Sequence, residues 1–231
     1  MLPKVRKLIY TTLILCGVCT LLSLDQASLP SKTCSLFNGK DLTNWQSFSA
    51  QKTKPDTALF HVENGLIRAY GKYQGYIVSK QSFKDYYKLS LDFRWNTDSI
   101  TPRINNKRNS GVMYNVPTGM ADELWPRGIQ YQIKDKATGD FILMNNVTMK
   151  VNGQLIEAGK SVTAKRITDA EKAVGEWNKL EVIYDQGKCT QMLNGVLVNE
   201  GTEVSDKEGR IALMFEGFPI DFKNIVISVL K

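Results

Sequence analysis

The chain reads Y-K-L-S-L-D-F-R-W from Tyr87 to Trp95, and this alternation of apolar with polar residues decides the fold. Successive side chains of a β-strand point to opposite faces, so the stretch predicts a strand with one apolar wall and one polar wall. The apolar wall needs a facing sheet to cover it. We therefore predict that Leu91, Phe93 and Trp95 point between two antiparallel sheets.

Two later stretches, Gly111–Val116 and Gly128–Lys134, repeat the alternation. A polar face is commonly solvated in antiparallel sheets. Amide, carboxylate and guanidinium groups in fixed positions also suit a hydroxyl-rich ligand, because they combine donors with acceptors. Spacing alone leaves both interpretations open. We predict that Asp92, Arg94, Gln130 and Gln132 lie on adjacent strands of one sheet and line a concave surface, and if all three stretches share that sheet, Asn115 joins the same polar face.

Composition excludes several classes of protein. The 231 residues include 42% hydrophobic and 23% charged residues, which is typical of a globular domain with a core of its own. The net charge is +7, but the Lys and Arg residues are scattered, so we expect no nucleic-acid partner. The single histidine, His61, approaches a turn and is interpreted as structural, because no second histidine exists to complete a histidine-rich metal site.

The N-terminus indicates export. A basic segment, Met1–Lys7, precedes the apolar run Leu8–Leu24, which is the pattern of a secretory signal and is nearly long enough for a membrane anchor. We predict that residues 1–28 are a signal peptide or anchor, with residues 29–35 as a linker. The protein is then periplasmic, cell-surface or secreted, and it meets a membrane only through this segment. Cys34 and Cys189 remain in the mature chain, and they could form a disulfide only if the fold brings them close.

The rest of the chain predicts about a dozen short strands separated by turn signals, a pattern that favours an all-β sandwich or barrel. One capping-box sequence, Thr168–Glu171, predicts a single helical turn or two.

Six short segments stand in the order of a known family. Together they resemble the 3-keto-disaccharide hydrolase domain family over about residues 36 to 230. The resemblance implies an all-β, two-sheet antiparallel jelly-roll sandwich of the concanavalin A-like lectin/glucanase type, as a single domain over residues 36–231. The segments are FNGKDLTNW (Phe37–Trp45), LDFR (Leu91–Arg94), NSGV (Asn109–Val112), GEWN (Gly175–Asn178), LNGVLV (Leu193–Val198) and EGFPIDFKNI (Glu216–Ile225).

The same resemblance implies an exported carbohydrate-active enzyme that cleaves 3-keto-glycosides and 3-keto-disaccharides by elimination and hydration, with net glycosidic hydrolysis. A ketone at C3 acidifies the hydrogen at C2, so a base can remove it and the C1 substituent can leave. Such a site needs a base, a group that polarises the enolate oxygen and a proton donor. It needs neither the carboxylate pair of an ordinary glycosidase nor a cofactor, although a divalent metal ion remains an alternative.

Matching positions assign the implied roles. Glu216 is the expected general base and Arg94 the expected electrophile or substrate clamp, and we predict that both converge on one pocket with Gln130. Gln130 stands where the family usually has Glu, and an amide cannot take a proton at neutral pH. A non-catalytic, lectin-like carbohydrate-binding module is therefore the alternative, and the expected ligand in either case is an oligosaccharide or 3-keto-sugar. The substrate-binding candidates are Asp92, Asn115, Gln130, Gln132, Trp125 and Asp140, of which Asp140 is also the candidate for a metal.

Overall fold

A computed structural model describes residues 32–51, 59–119 and 123–229. Within these residues the chain forms seventeen β-strands and no α-helix. The strands are β1 (Lys32–Ser35), β2 (Trp45–Ser49), β3 (Phe60–Glu63), β4 (Leu66–Ala69), β5 (Gly75–Lys84), β6 (Tyr86–Trp95), β7 (Asn109–Val116), β8 (Gly128–Lys134), β9 (Phe141–Met144), β10 (Met149–Val151), β11 (Gln154–Ile156), β12 (Ser161–Ala164), β13 (Asn178–Asp185), β14 (Lys188–Leu193), β15 (Val196–Thr202), β16 (Glu208–Phe215) and β17 (Ile220–Val229).

The described strands pair into two sheets. One sheet has seven strands in the order β12-β9-β8-β7-β16-β5-β2. The other has ten strands in the order β11-β10-β15-β14-β13-β6-β17-β4-β3, with β1 alongside part of β17. Neighbouring strands run antiparallel, for example β6 with β13 and β7 with β8. The predicted two-sheet antiparallel sandwich is therefore confirmed.

Strand β6 lies inside the ten-stranded sheet, between β13 and β17. The side chains of Leu91 and Phe93 are fully buried, and that of Trp95 is 2% exposed. All three belong to the cluster of apolar residues between the sheets, as the alternation predicts. Burying one such side chain contributes about 1.5–3 kcal/mol, so the three together contribute several kcal/mol to the stability of the fold.

Two local predictions are corrected by long-range contacts. Lys32–Ser35, the described part of the predicted linker, forms β1 and pairs with Val226–Val229, where it satisfies backbone groups at the edge of β17. The stretch from Thr168 to Glu171 is not helical. The carboxylate of Glu171 accepts a hydrogen bond of 3.1 Å from Trp95 Nε1 instead of capping a helix.

Both cysteines of the described chain are free, so the possible disulfide does not form: Cys189 is buried and Cys34 is partly exposed. The predicted signal peptide or anchor at residues 1–28 lies outside the described residues. None of the described residues forms a helix long and apolar enough to span a membrane.

Candidate functional site

A cavity of about 220 Å³ opens on the outer face of the seven-stranded sheet. Ile129, Tyr131 and Ile133 of β8 point into the core, so the alternating Gln130 and Gln132 point outward into this cavity. We call it the β8 cavity. Its walls are formed by Trp125, Gln130, Gln132, Lys134, Ile142, Met144, Ser161, Thr163 and Glu216.

Four of the side chains at this site close a ring of hydrogen bonds. Gln130 Nε2 donates to Gln132 Oε1 at 2.5 Å and to Glu216 Oε1 at 3.3 Å. Gln132 Nε2 donates to Asn109 Oδ1 at 3.3 Å, and Asn109 Nδ2 donates to Glu216 Oε2. We call Asn109, Gln130, Gln132 and Glu216 the amide ring. Every donor in it is an amide, and Glu216 accepts on both carboxylate oxygens.

Strand order explains why these residues meet. Strands β8, β7 and β16 are neighbours, and Glu216 directly follows β16. Gly111 of β7 lies opposite Gln132, and a Cβ built on it would lie 2.6 Å from the side chain of Gln130. The glycine thus leaves room for Gln130 to reach across β7 to Glu216. A glycine inside a strand signals such a close approach.

Glu216 carries an ionisable carboxyl group that is largely buried. Burial raises the pKa of the Glu216 carboxyl to about 7, against the opposing effects of the Gln130 hydrogen bond and the positive charge of Lys134. Both protonation states are therefore populated near neutral pH. A carboxylate of this kind can take a proton and return it.

Lys134 is a further functional candidate that sequence reasoning missed, as it missed Asn109. It closes the predicted strand Gly128–Lys134 and lies at the same parity as Gln130 and Gln132, which is the signal that would have found it. Its ammonium is the one cationic group among the described residues lining the β8 cavity. A positive charge there stabilises negative charge that develops on a bound molecule.

The raised pKa of Glu216 predicts a specific pH dependence of stability. The folded protein holds the Glu216 proton more tightly than the unfolded chain, whose pKa lies near 4.5, so the free energy of unfolding falls as pH rises from about 4.5 to about 7. At about pH 8, Glu216→Gln should be more stable than wild type by on the order of 2–3 kcal/mol, and the advantage should vanish near pH 4. Urea unfolding of both proteins between about pH 4 and pH 8 measures the difference in their free energies of unfolding. A stability advantage of Glu216→Gln that does not change with pH would contradict the raised pKa of Glu216.

The predicted position of Arg94 is wrong. Arg94 and Asp92 lie on β6 in the ten-stranded sheet, whereas Gln130 and Gln132 lie on β8 in the seven-stranded sheet. The predicted common face and the convergence of Arg94 with Glu216 therefore do not occur. Alternation fixes the two faces of a strand but not its neighbours, and β6 pairs with β13 and β17 instead of β7.

Arg94 takes part in an ion pair and an aromatic contact on the outer face of its own sheet. Its Nε donates to Asp221 at 3.1 Å, and its guanidinium lies 4.7 Å from the centre of the Trp177 ring. Asp221 is 1% exposed and also accepts from Arg68 Nε at 3.1 Å. One buried carboxylate thus holds two guanidinium groups.

Asp221→Asn should lower the free energy of unfolding by roughly 2–4 kcal/mol, because removing one partner of a buried ion pair leaves the other charge uncompensated. Urea unfolding at neutral pH measures the loss. Asp185→Asn is the matched control, since Asp185 is exposed at the end of β13 in the same sheet. Equal stabilities for the two variants would contradict this role of Asp221.

The predicted position of Asn115 on the outer polar face is also wrong. It is fully buried, accepts a hydrogen bond of 2.8 Å from the Tyr87 hydroxyl and donates to the carbonyl of Asp206 at 2.8 Å. Its φ of +53° breaks the alternation of β7 beside a register shift in β16. Asn tolerates this left-handed conformation, so its side chain turns between the sheets and is not part of the outer face.

Asp140 has a structural role in the described chain. Its Oδ1 accepts a hydrogen bond of 2.8 Å from the backbone N–H of Arg166, which fixes the turn between β8 and β9. Among the residues that the structure describes, no group of three or more His, Cys, Asp or Glu side chains is placed to hold a metal ion. Of the predicted site residues, the structure brings together Trp125, Gln130, Gln132 and Glu216, and it places Asp92, Arg94, Asn115 and Asp140 elsewhere.

Comparison with known proteins bears on fold and family. The profile of the 3-keto-alpha-glucoside-1,2-lyase-like domain matches residues 32–228. A glycosyl-hydrolase-like protein from Parabacteroides distasonis has 22% identity and a TM-score of 0.61, over 86% of this chain and 94% of that one. A β-glucanase from Bacillus licheniformis has 12% identity and a TM-score of 0.53, over 87% of this chain and 98% of that one. No functionally curated protein matches the chain.

A protein of unknown function with a galectin-like fold from Bacillus subtilis has 8% identity and a TM-score of 0.53, over 87% of this chain and 96% of that one. At these identities the similarity establishes the fold, and the predicted lectin/glucanase-type jelly roll is confirmed. The family profile spans almost the whole described region. The chain belongs to the 3-keto-alpha-glucoside-1,2-lyase-like domain family of carbohydrate-active proteins.

Proposed function

We propose that this protein cleaves 3-keto-glycosides by elimination and hydration, with Glu216 as the general base. The observation that carries the proposal is the amide ring, because it holds one carboxylate with a pKa of about 7 at the wall of a cavity. Among the described residues that line this cavity, Glu216 is the only acid. A two-carboxylate glycosidase mechanism would need a second one.

The reaction follows from the acidity of the C2 hydrogen beside the C3 ketone. Glu216 takes the C2 proton, and the electron pair moves to the ketone oxygen to give an enolate. The enolate then collapses, forming a C1–C2 double bond while the C1–O bond breaks. The leaving oxygen takes a proton, which protonated Glu216 can return. Water finally adds, with hydroxyl at C1 and hydrogen at C2, so the net reaction consumes one water.

The neighbouring side chains have separate roles in this scheme. Gln130 and Asn109 hold the Glu216 carboxylate on both oxygens, which fixes its direction. Lys134 supplies the positive charge for the enolate oxygen. Trp125, Ile142 and Met144 add an apolar wall, against which the carbon-bearing face of a pyranose ring can pack.

A carbohydrate-binding module without catalysis is the second candidate. The observation in its favour is Gln130, which stands where the family resemblance places Glu and whose amide donates to Gln132 and Glu216. Such a site offers donors and acceptors to sugar hydroxyls without a second proton-transferring group.

Export is part of the proposal. The basic and apolar residues at 1–28 lie outside the described chain, and their pattern supports secretion or anchoring outside the cytoplasm. The protein would then meet its sugar in the periplasm, at the cell surface or in the medium.

Incubation of the purified protein with 3-keto-trehalose and 3-keto-lactose tests the function directly, with free sugar as the readout. The matched controls are trehalose and lactose, which lack the ketone and therefore the acidic C2 hydrogen. The enzyme should release sugar only from the keto compounds. Binding of the keto sugars without release, in both wild type and Glu216→Gln, would overturn catalysis and favour the binding module.

A further inference from the structure

The outer face of the ten-stranded sheet carries a row of charged and aromatic side chains that the proposed function does not use. Asp221 of β17 pairs in register with Arg94 of β6 on one side and with Arg68 of β4 on the other. Trp177 directly precedes β13 and lies opposite Arg94. Lys223 comes two residues after Asp221 on β17. We call these five residues the outer row.

Trp177 contacts two cationic side chains at one end of the outer row. The Arg94 guanidinium lies 4.7 Å from the centre of the Trp177 ring, and the Lys223 ammonium lies 3.9 Å from it. Lys223 belongs to a strand on the far side of β6 from Trp177, so the indole ring extends across β6 to meet it. Contacts of this kind hold the two positive charges in place but do not neutralise them.

The positive charges at this end are accessible, whereas the carboxylate of the outer row is not. The Arg94 side chain is 35% exposed and Lys223 is partly exposed, but Asp221 is 1% exposed. Asp221 already accepts hydrogen bonds on both oxygens, from Arg68 Nε and Arg94 Nε. Lys223 lies opposite Asp92 in register, yet it forms no ion pair with Asp92 or with any other acid of the described chain. Among the described residues, Nη1 and Nη2 of Arg94 and Nζ of Lys223 therefore remain as donors without an acceptor.

The opposite end of the outer row repeats the combination of an aromatic group with a guanidinium. His61 of β3 pairs with Arg68, and its ring stacks on that of Tyr70 with 4.1 Å between the ring centres. Arg68 Nη1 donates to Glu63 at 2.7 Å, while its Nη2 has no partner among the residues that the structure describes. Two strand spacings, together about 10 Å, separate Arg68 from Arg94. A ligand that contacts both guanidinium groups must therefore be extended.

We propose that the outer row is a second, non-catalytic glycan-binding site, and that it binds an extended acidic polysaccharide through the carboxylates of its uronic acid residues. The edge formed by Nη1 and Nη2 of Arg94 matches a planar carboxylate, to which it can donate two parallel hydrogen bonds. Lys223 adds a second positive charge beside this edge. A sugar chain is favoured over an acidic peptide, because the protein belongs to a carbohydrate-active family and because aromatic rings, against which sugar rings can pack, stand at both ends of the row.

The outer row and the β8 cavity lie on different sheets, so a polysaccharide bound along the row leaves the cavity open. Binding at the outer row would hold the protein on a polymer while the cavity acts on a separate molecule. The inference goes beyond the proposed function and does not depend on the proposed reaction.

Biolayer interferometry on immobilised polygalacturonate tests the proposal, at about 0.15 M salt to screen diffuse charge attraction. Lys223→Gln removes one positive charge, and Arg94→Lys keeps the charge but loses the planar edge. The matched control is Lys188→Gln, because Lys188 is an exposed residue on β14 of the same sheet. It lies at the end of that sheet where Asp185 pairs with Tyr86, away from the outer row.

The Kd for polygalacturonate should rise about tenfold or more in Lys223→Gln and in Arg94→Lys, because each variant loses a charge-assisted contact. Lys188→Gln should bind as wild type does. An equal rise in Lys188→Gln would show only diffuse attraction between a protein of net charge +7 and a polyanion, and it would overturn the inference. Wild type that does not bind polygalacturonate would overturn it as well.

Dextran, dextran sulfate and poly-glutamate identify the group that is recognised. Dextran should not bind, because it carries no carboxylate. The assignment of a uronic acid chain is overturned if the same variants weaken binding of dextran, if dextran sulfate binds more tightly with the same losses, or if poly-glutamate binds as well as polygalacturonate.

Activity separates this site from the proposed reaction. Lys223→Gln should keep the wild-type kcat/KM on 3-keto-trehalose, and a fall comparable to its loss of polysaccharide binding would overturn the separation of the two sites. If wild type cleaves no keto sugar, the proposed function fails, and the outer row is still judged by the binding data alone.

Discussion

Glu216→Gln is expected to lower kcat/KM on 3-keto-glycosides by about 10²–10⁴-fold, the usual cost of losing a positioned general base. The amide has nearly the size of the carboxylate and can still accept a hydrogen bond from Gln130, but it cannot take a proton. The cavity walls remain, so ligand binding should change little. Steady-state kinetics together with calorimetric binding of a keto sugar separate the two effects.

Glu208→Gln is the matched control for this variant. Glu208 begins the same strand, β16, at the opposite end from Glu216, and it is exposed. The control should retain the wild-type rate. A Glu216→Gln protein that turns over keto sugars at the wild-type rate would remove Glu216 from the mechanism.

Gly111→Ala is expected to reduce the rate by about 10²-fold with little loss of stability, because a small displacement of an active-site group has costs of this size. The new Cβ would lie 2.6 Å from Cγ, Cδ and Nε2 of Gln130, so this side chain must move away from Glu216. Gly111 is not among the glycines with positive φ, so the backbone accepts alanine. The parallel readouts are kcat/KM and urea unfolding.

A double-mutant cycle isolates the mechanism of this effect. If Gly111→Ala acts by displacing Gln130, it should cost nothing further in a Gln130→Ala background, where the obstructed side chain is absent. Losses that multiply in the double variant would show that Gly111 acts by a different route.

The alternation of β6 was sufficient to predict the buried positions of Leu91, Phe93 and Trp95. Parity along β8 likewise predicted that Gln130 and Gln132 share one face, since side-chain direction in a strand is a local property. Glu216 could be anticipated because it lies between an apolar strand and Gly217, at a position that the family resemblance also marks. These predictions all depend on short stretches of sequence.

The rest of the site could not be predicted, because long-range pairing decides which strands become neighbours in a sheet. Nothing local to Arg94 indicates that β6 pairs with the late strands β13 and β17, which places it across the sandwich from Glu216. Asn115 escaped prediction because a single left-handed residue reverses the expected faces. Asn109 and Lys134 gain their roles only once β7, β8 and β16 lie side by side.

The fate of the hydrogen at C2 provides the most direct test of elimination. Wild-type protein cleaves a 3-keto-disaccharide in D₂O, and NMR of the released 3-keto-sugar at early times records the isotope at C2, with the same sugar incubated without protein as the background. Elimination followed by hydration predicts deuterium at C2, because the original proton leaves and solvent supplies its replacement. A released sugar that retains protium at C2, at the level of the background, would contradict the proposed mechanism.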